Sequence, residues 1–144
     1  MSRPDEARAQ GWRTLAALST RIEDRIERAL QDAVGLSVNE FCALHHLGEG
    51  RPVRMQELAD RLVLSQSATT RLVTRLEKRG LITRVLSEED RRGICAEATG
   101  AGRELHDAAV PVHNAALDEA LREAAELPEL APLVDALEKL NIKV

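Results

Sequence analysis

Aromatic residues are almost missing from this 144-residue chain: Trp12 and Phe41 are the only two, and there is no tyrosine. A core without large rings has to be filled by Leu, Ile, Val and Ala, which suits helices packed on helices. Cysteine is nearly as scarce. Cys42 and Cys95 stand far apart with no C-x-x-C spacing, which argues against a disulfide framework and against a zinc site. No apolar run approaches the roughly 20 residues of a membrane span, and the polar start MSRPDEARAQ has no signal-peptide apolar stretch. The expectation is a cytoplasmic protein with no membrane partner. G-x-S-x-G, H-E-x-x-H, Walker-type and G-x-G-x-x-G patterns do not occur, so no catalytic residue stands out, no cofactor is implied and an enzyme is not expected.

What is present is enough for one globular domain over residues 1–144, with 44% hydrophobic and 31% charged residues. The charge is unevenly spread. Residues 51–92 hold 10 Lys/Arg and 6 Asp/Glu, net +4; the remainder holds 10 basic and 18 acidic groups, net −8, which together give the chain's −4. A basic centre inside an acidic frame points to a polyanionic partner at that centre.

Periodicity places the elements. Trp12, Leu15, Leu18, Ile22, Ile26 and Leu30 form one apolar stripe of a helix over about 6–33, closed by Gly35. Ser37 and Glu40 stand at the spacing of a capping box, with Leu36 and Phe41 as the staple, so a second helix runs to about Leu47. Met55 to Leu62 form a third helix, preceded by Arg54 where a capping Ser or Thr would be expected. After a short turn at Val63 and Leu64, Ser65 caps a fourth helix that ends at Gly80. Residues 81–86 and 93–98 then read as two strands around the charged tip SEEDRR. Thr99 opens a long Ala-rich helix from about Gly100 to Glu126, interrupted by Pro111. Beyond Pro128, Leu130, Leu133, Val134, Leu137 and Leu140 share one face of a last helix.

The third and fourth helices with their tight turn are the parts of a helix-turn-helix. On the fourth, Ala68, Thr69, Leu72, Val73 and Leu76 fall inward; Ser67, Gln66, Thr70, Arg71, Thr74, Arg75 and Lys78 fall outward, with Ser65 at the start. Gln pairs bidentately with adenine, and Ser or Thr reaches most base edges. Arg71, Arg75 and Lys78 are placed to neutralise phosphates. Arg91 and Arg92 at the hairpin tip have the chemistry for a minor groove.

The run MQELADRL, SQSATTRLVTRLEKRGLITR, SEEDRRG and ATGAGRE resembles the winged helix-turn-helix core of MarR-family transcriptional regulators. The D-x-R wing signature appears as Asp90-Arg91-Arg92, the turn before the wing as Gly80-Leu81-Ile82, and the T-x-x-G-R opening of the next helix as Thr99 to Arg103. The resemblance implies a mainly α (α+β) fold: a winged helix-turn-helix DNA-binding lobe over 36–98, and helical dimerisation regions over 6–33 and 100–144. It implies a homodimeric regulator, a repressor on a pseudo-palindromic operator of double-stranded DNA. By position, Ser65 to Arg75 would be the recognition helix, Arg92 the minor-groove arginine and Asp90 its orienting carboxylate. Arg54 at the cap, and Ala98 where a larger apolar residue usually ends the strand, depart from the pattern. MarR-like proteins commonly bind anionic or phenolic effectors, and Trp12, Arg13, Phe41 and His45 are the residues expected to line such a site here.

Bland readings compete at several positions. Cys42 and Cys95 read as small buried hydrophobes, because there is no tyrosine to hold a sensing thiolate. His45 and His46 diverge by about 100° on a helix, and His106 and His113 share a face without evident co-ligands, so no metal is expected. Trp12 fits core packing at a dimer interface as well as a pocket wall. The rival to a DNA-binding regulator is a helical dimerisation or adaptor protein whose winged domain binds protein.

Overall fold

The computed structural model describes residues 3–86 and 93–140. Element order is α1 (Pro4–Val34), α2 (Val38–His46), β1 (Val53–Arg54), α3 (Met55–Leu62), α4 (Gln66–Lys78), β2 (Ile82–Leu86), β3 (Ile94–Ala98), α5 (Gly100–Ala125) and α6 (Ala131–Lys139). The wing-tip residues Asp90, Arg91 and Arg92 lie outside the described residues. The chain divides into two compact units, one spanning Leu30–Pro111, the other formed by the described residues up to Ala29 and from Val112 on.

The unit Leu30–Pro111 is built around a three-stranded antiparallel sheet in the order β1-β3-β2. Ile82 faces Ala98 and Leu86 faces Ile94 along the hairpin, while Val53 faces Ala96 on the other side of β3. The strand β1 was not expected: two residues after Pro52 cannot show an alternating pattern, and only pairing with Cys95 and Ala96 makes them a strand. It also accounts for the poor cap. Arg54 makes no side-chain capping bond to α3, and its position is fixed by its strand pairing with Cys95. Leu44, Leu58, Leu72, Val73 and Leu76 fill the core from α2, α3 and α4, with Ala96 under the sheet.

The helix ends follow local chemistry. Ser37 and Glu40 form the capping box reciprocally, at 3.0 and 2.8 Å. Glu40 is buried, and its second oxygen faces Arg79, whose guanidinium also donates to the Gly35 carbonyl at 3.0 Å. That clasp ties the end of α4 to the entry of α2 and was not visible in the sequence.

In the other unit, Leu18, Leu121, Ala124, Leu130 and Val134 form the core, joining α1, α5 and α6. Part of the α1 stripe is thus buried within one chain. The rest is not: Trp12 and Leu15 on α1, and Leu137 and Leu140 at the end of the chain, stay exposed. Helix α5 passes through Pro111 without interruption, and the boundary between the two units falls at that residue. No described helix is long and apolar enough to cross a membrane.

Candidate nucleic-acid interface

The turn between α3 and α4 sets the outer face of α4. The amide of Leu64 donates to Ala59 O at 3.0 Å and that of Val63 to Asp60 O at 3.2 Å, a Schellman pair that stops α3. Val63 takes the left-handed conformation at φ 55, ψ 45, and its side chain is 87% exposed. A β-branched residue there is strained, so the turn is held by the packing of the helices it joins. Ser65 follows at once and restarts the chain as a helix, accepting from the amide of Ala68 at 3.1 Å.

Thr69, Leu72, Val73 and Leu76 are buried, which turns Gln66, Ser67, Thr70, Arg71, Arg75 and Lys78 to solvent. Arg71, Arg75 and Lys78 follow at steps of four and three and form one cationic edge. Among the described residues no carboxylate is in salt-bridge contact with these three, whereas Arg79 and Arg84 are each engaged. Small polar groups near the helix start and cations beyond them suit base edges flanked by phosphates.

Thr74 stands apart from the outward set. It is half-buried, its hydroxyl donates to the Thr70 carbonyl at 2.8 Å, and it accepts from Arg84 at 2.5 Å. Arg84 projects from β2 and lies 3.6 Å from Glu77 on the same helix. Its Nε is buried with no hydrogen-bond partner, so the side chain is held by these two contacts on α4. Sequence reasoning missed Arg84. Ten residues separate it from Thr74, and alternation along a strand does not reveal which helix it meets.

The root of the wing is fixed on its other side by the T-x-x-G-R run. The Thr99 amide donates to Leu81 O at 3.0 Å, its hydroxyl donates to Gly80 O at 2.7 Å, and the Thr99 Oγ1 accepts from the Gly102 amide at 3.1 Å. Arg103 reaches back to Ala98 O at 3.0 Å. A Cβ at Gly102 would run into the Leu81 carbonyl, which accounts for glycine there. Ala98, the departure noted in the strand, is buried opposite Ile82.

Of the residues expected around an effector, Phe41 and His45 belong to the unit Leu30–Pro111, and Trp12 and Arg13 to the other unit. Phe41 is buried and stacks on His45 and His106, with ring centroids 6.3 and 5.2 Å apart. Trp12 is 67% exposed on α1, and Arg13 lines a shallow surface hollow with Gln10, Thr14 and Leu130. Cys95 is buried and Cys42 half-buried.

Comparisons with known proteins agree with this geometry. The family model described as MarR family matches residues 34–93. The organic hydroperoxide resistance transcriptional regulator of Bacillus subtilis (strain 168) is 29% identical over 126 residues, covering 87% of this chain and 86% of that protein. AbsC, a MarR-family transcriptional regulator from Streptomyces coelicolor, is 30% identical, with a TM-score of 0.75 over 96% of this chain and 93% of its own. Sco3205, a MarR-family transcriptional regulator from the same organism solved in complex with DNA, is 28% identical. It gives a TM-score of 0.73 over 98% of this chain and 96% of its own. Regulators of transcription, not enzymes, are the class these relatives represent.

Proposed function

Because the chain belongs to the MarR family of transcriptional regulators, we propose that it acts as a homodimer on a pseudo-palindromic double-stranded DNA operator and represses by occupying it. The observation that carries this reading is the outward face of α4, where Gln66, Ser67 and Thr70 stand ahead of the cationic edge Arg71, Arg75 and Lys78. Ser65 to Arg75 is the recognition segment in this reading, and the tip residues Asp90, Arg91 and Arg92 extend the contact into the minor groove. The lobe 36–98 reads DNA, and 6–33 with 100–144 forms the dimer. Sco3205, whose structure holds DNA, supports the lobe assignment by similarity. Exposed Trp12, Leu15, Leu137 and Leu140 support the dimer, since a partner chain would cover them.

Two measurements test it. Light scattering should give twice the 15.8 kDa chain mass at micromolar concentration, and affinity for bulk DNA should fall steeply with salt. A monomer, or binding indifferent to salt, overturns the reading; the second outcome favours a protein-binding adaptor. Release by an anionic or phenolic effector rests on the sequence resemblance and on Trp12. As the chain's one tryptophan, its emission should respond to such a ligand.

A further inference from the structure

Histidines that the sequence keeps 61 residues apart meet inside the unit Leu30–Pro111. His45 Nδ1 on α2 and His106 Nε2 on α5 lie 3.2 Å apart. Phe41 stacks against both rings, at interplanar angles of 18° and 24°, and holds them in this pose. The Asp107 carboxylate lies 3.8 Å from His106 Nδ1, which favours a proton on that nitrogen and leaves Nε2 as a lone pair. His45 Nδ1 then supplies the proton of the N–H···N contact.

We propose that this pair is a two-histidine chelate for a borderline transition-metal ion such as Zn(II). At imidazole–zinc bonds of about 2.0–2.1 Å, a 3.2 Å separation subtends roughly 100–105° at the ion, close to the tetrahedral angle. Each ring binds through a lone pair: the neutral His45 ring carries its proton on Nε2 once Nδ1 holds the ion, so binding to the two neutral rings releases no net proton. The remaining positions are open to water, because His45 is exposed. No cluster of three or more potential ligands exists among the described residues, which makes this a weak site of exchangeable occupancy. Imidazole pairs suit Zn(II), Ni(II) and Cu(II) and leave Mg(II) in solution. An occupied site fastens α2 to the opening of α5.

The test uses the full chain, makes no use of DNA, and so stands apart from the regulator reading. Zn(II) is titrated calorimetrically. The expected result is one ion per chain, with affinity lowered at least tenfold by His45→Asn and by His106→Asn, and unchanged by His46→Asn or His113→Asn. His45→Asn decides alone if His106→Asn does not fold, since the exposed His45 ring carries no core. Zinc binding that survives His45→Asn, equal loss in His46→Asn, binding of Mg(II) with matching strength, or no zinc uptake at all would overturn the proposal.

Discussion

Arg84 on β2 donates to the Thr74 hydroxyl on α4 at 2.5 Å, and that hydroxyl donates in turn to Thr70. The wing and α4 are therefore set relative to each other by side chains that need not touch DNA. A fully charged donor on a half-buried hydroxyl is among the stronger protein hydrogen bonds, about 1.5–3 kcal/mol.

Arg84→Ala is expected to weaken binding to the cognate operator several-fold while leaving the salt slope nearly unchanged, because the guanidinium acts through α4 and not on a phosphate. Thr74→Val should do the same. In the double variant the two losses should fall short of additivity by about 0.5–3 kcal/mol. Additive losses in anisotropy titrations would show that the bond positions nothing.

The outward residues should behave differently. Gln66→Ala or Thr70→Ala should cost about 1–3 kcal/mol on the cognate site and little on other sequences. Arg92→Ala should weaken cognate and bulk DNA alike and lower the salt slope by about one unit. Titrations at two salt concentrations separate the classes. Unchanged affinity and slope for Arg92→Ala would leave the wing tip a passive loop.

Val63 is the one described non-glycine residue with positive φ, and its exposed side chain contributes no core. Val63→Asn should raise stability by about 1 kcal/mol, because Asn tolerates the left-handed region that a β-branched side chain resists. Urea unfolding at unchanged m-value checks this. A loss of stability would mean that the turn is not strained.

The sequence showed what is local. Ser37 with Glu40, Ser65, and Thr99 with Gly102 cap their helices within three residues, and each cap stands where its spacing put it; the bond from Thr99 to Gly80, across 19 residues, did not show. The inward face of α4 followed from a 3.6-residue period. What failed to show is long-range: β1 exists through Cys95 and Ala96, Arg79 meets Glu40 across 39 residues, and His45 meets His106 across 61. Adjacent His45 and His46 were expected to diverge, and their rings meet edge to face with centroids 5.8 Å apart; periodicity cannot say which helix each then faces. Thr74 was placed outward by the same period, and only Arg84 arriving from β2 turns it to a structural role.

His46 offers a pH test. Burial first, then the nearby His45 and Arg61, hold its pKa below the ordinary 6.5. A histidine with a depressed folded value favours folding while neutral, so its contribution is intact above about pH 6.5 and is lost as pH falls through the lower folded value. His46→Gln should flatten the decline in unfolding free energy between about pH 7 and pH 5. Parallel curves for the two proteins would remove His46 from the acid response.

Two glycines in one motif should separate close approach from mere flexibility. Gly100 and Gly102 both lie in the first turn of α5, and neither has positive φ. Nothing lies within 4 Å of a Cβ at Gly100, so Gly100→Ala should be neutral or add about 0.4–1 kcal/mol through the unfolded chain. At Gly102 the added carbon meets backbone, the Leu81 carbonyl, which already accepts from Thr99. Backbone cannot swing aside as a side-chain end can, so α5 would have to retreat and stretch the bonds from Thr99 that anchor the wing root. Gly102→Ala should therefore cost about 1–3 kcal/mol in chemical unfolding. It should also weaken DNA binding at temperatures where the fold persists, because β2 loses its fixed base. Equal behaviour of the two alanine variants would show that contact with Leu81 is not what keeps residue 102 a glycine.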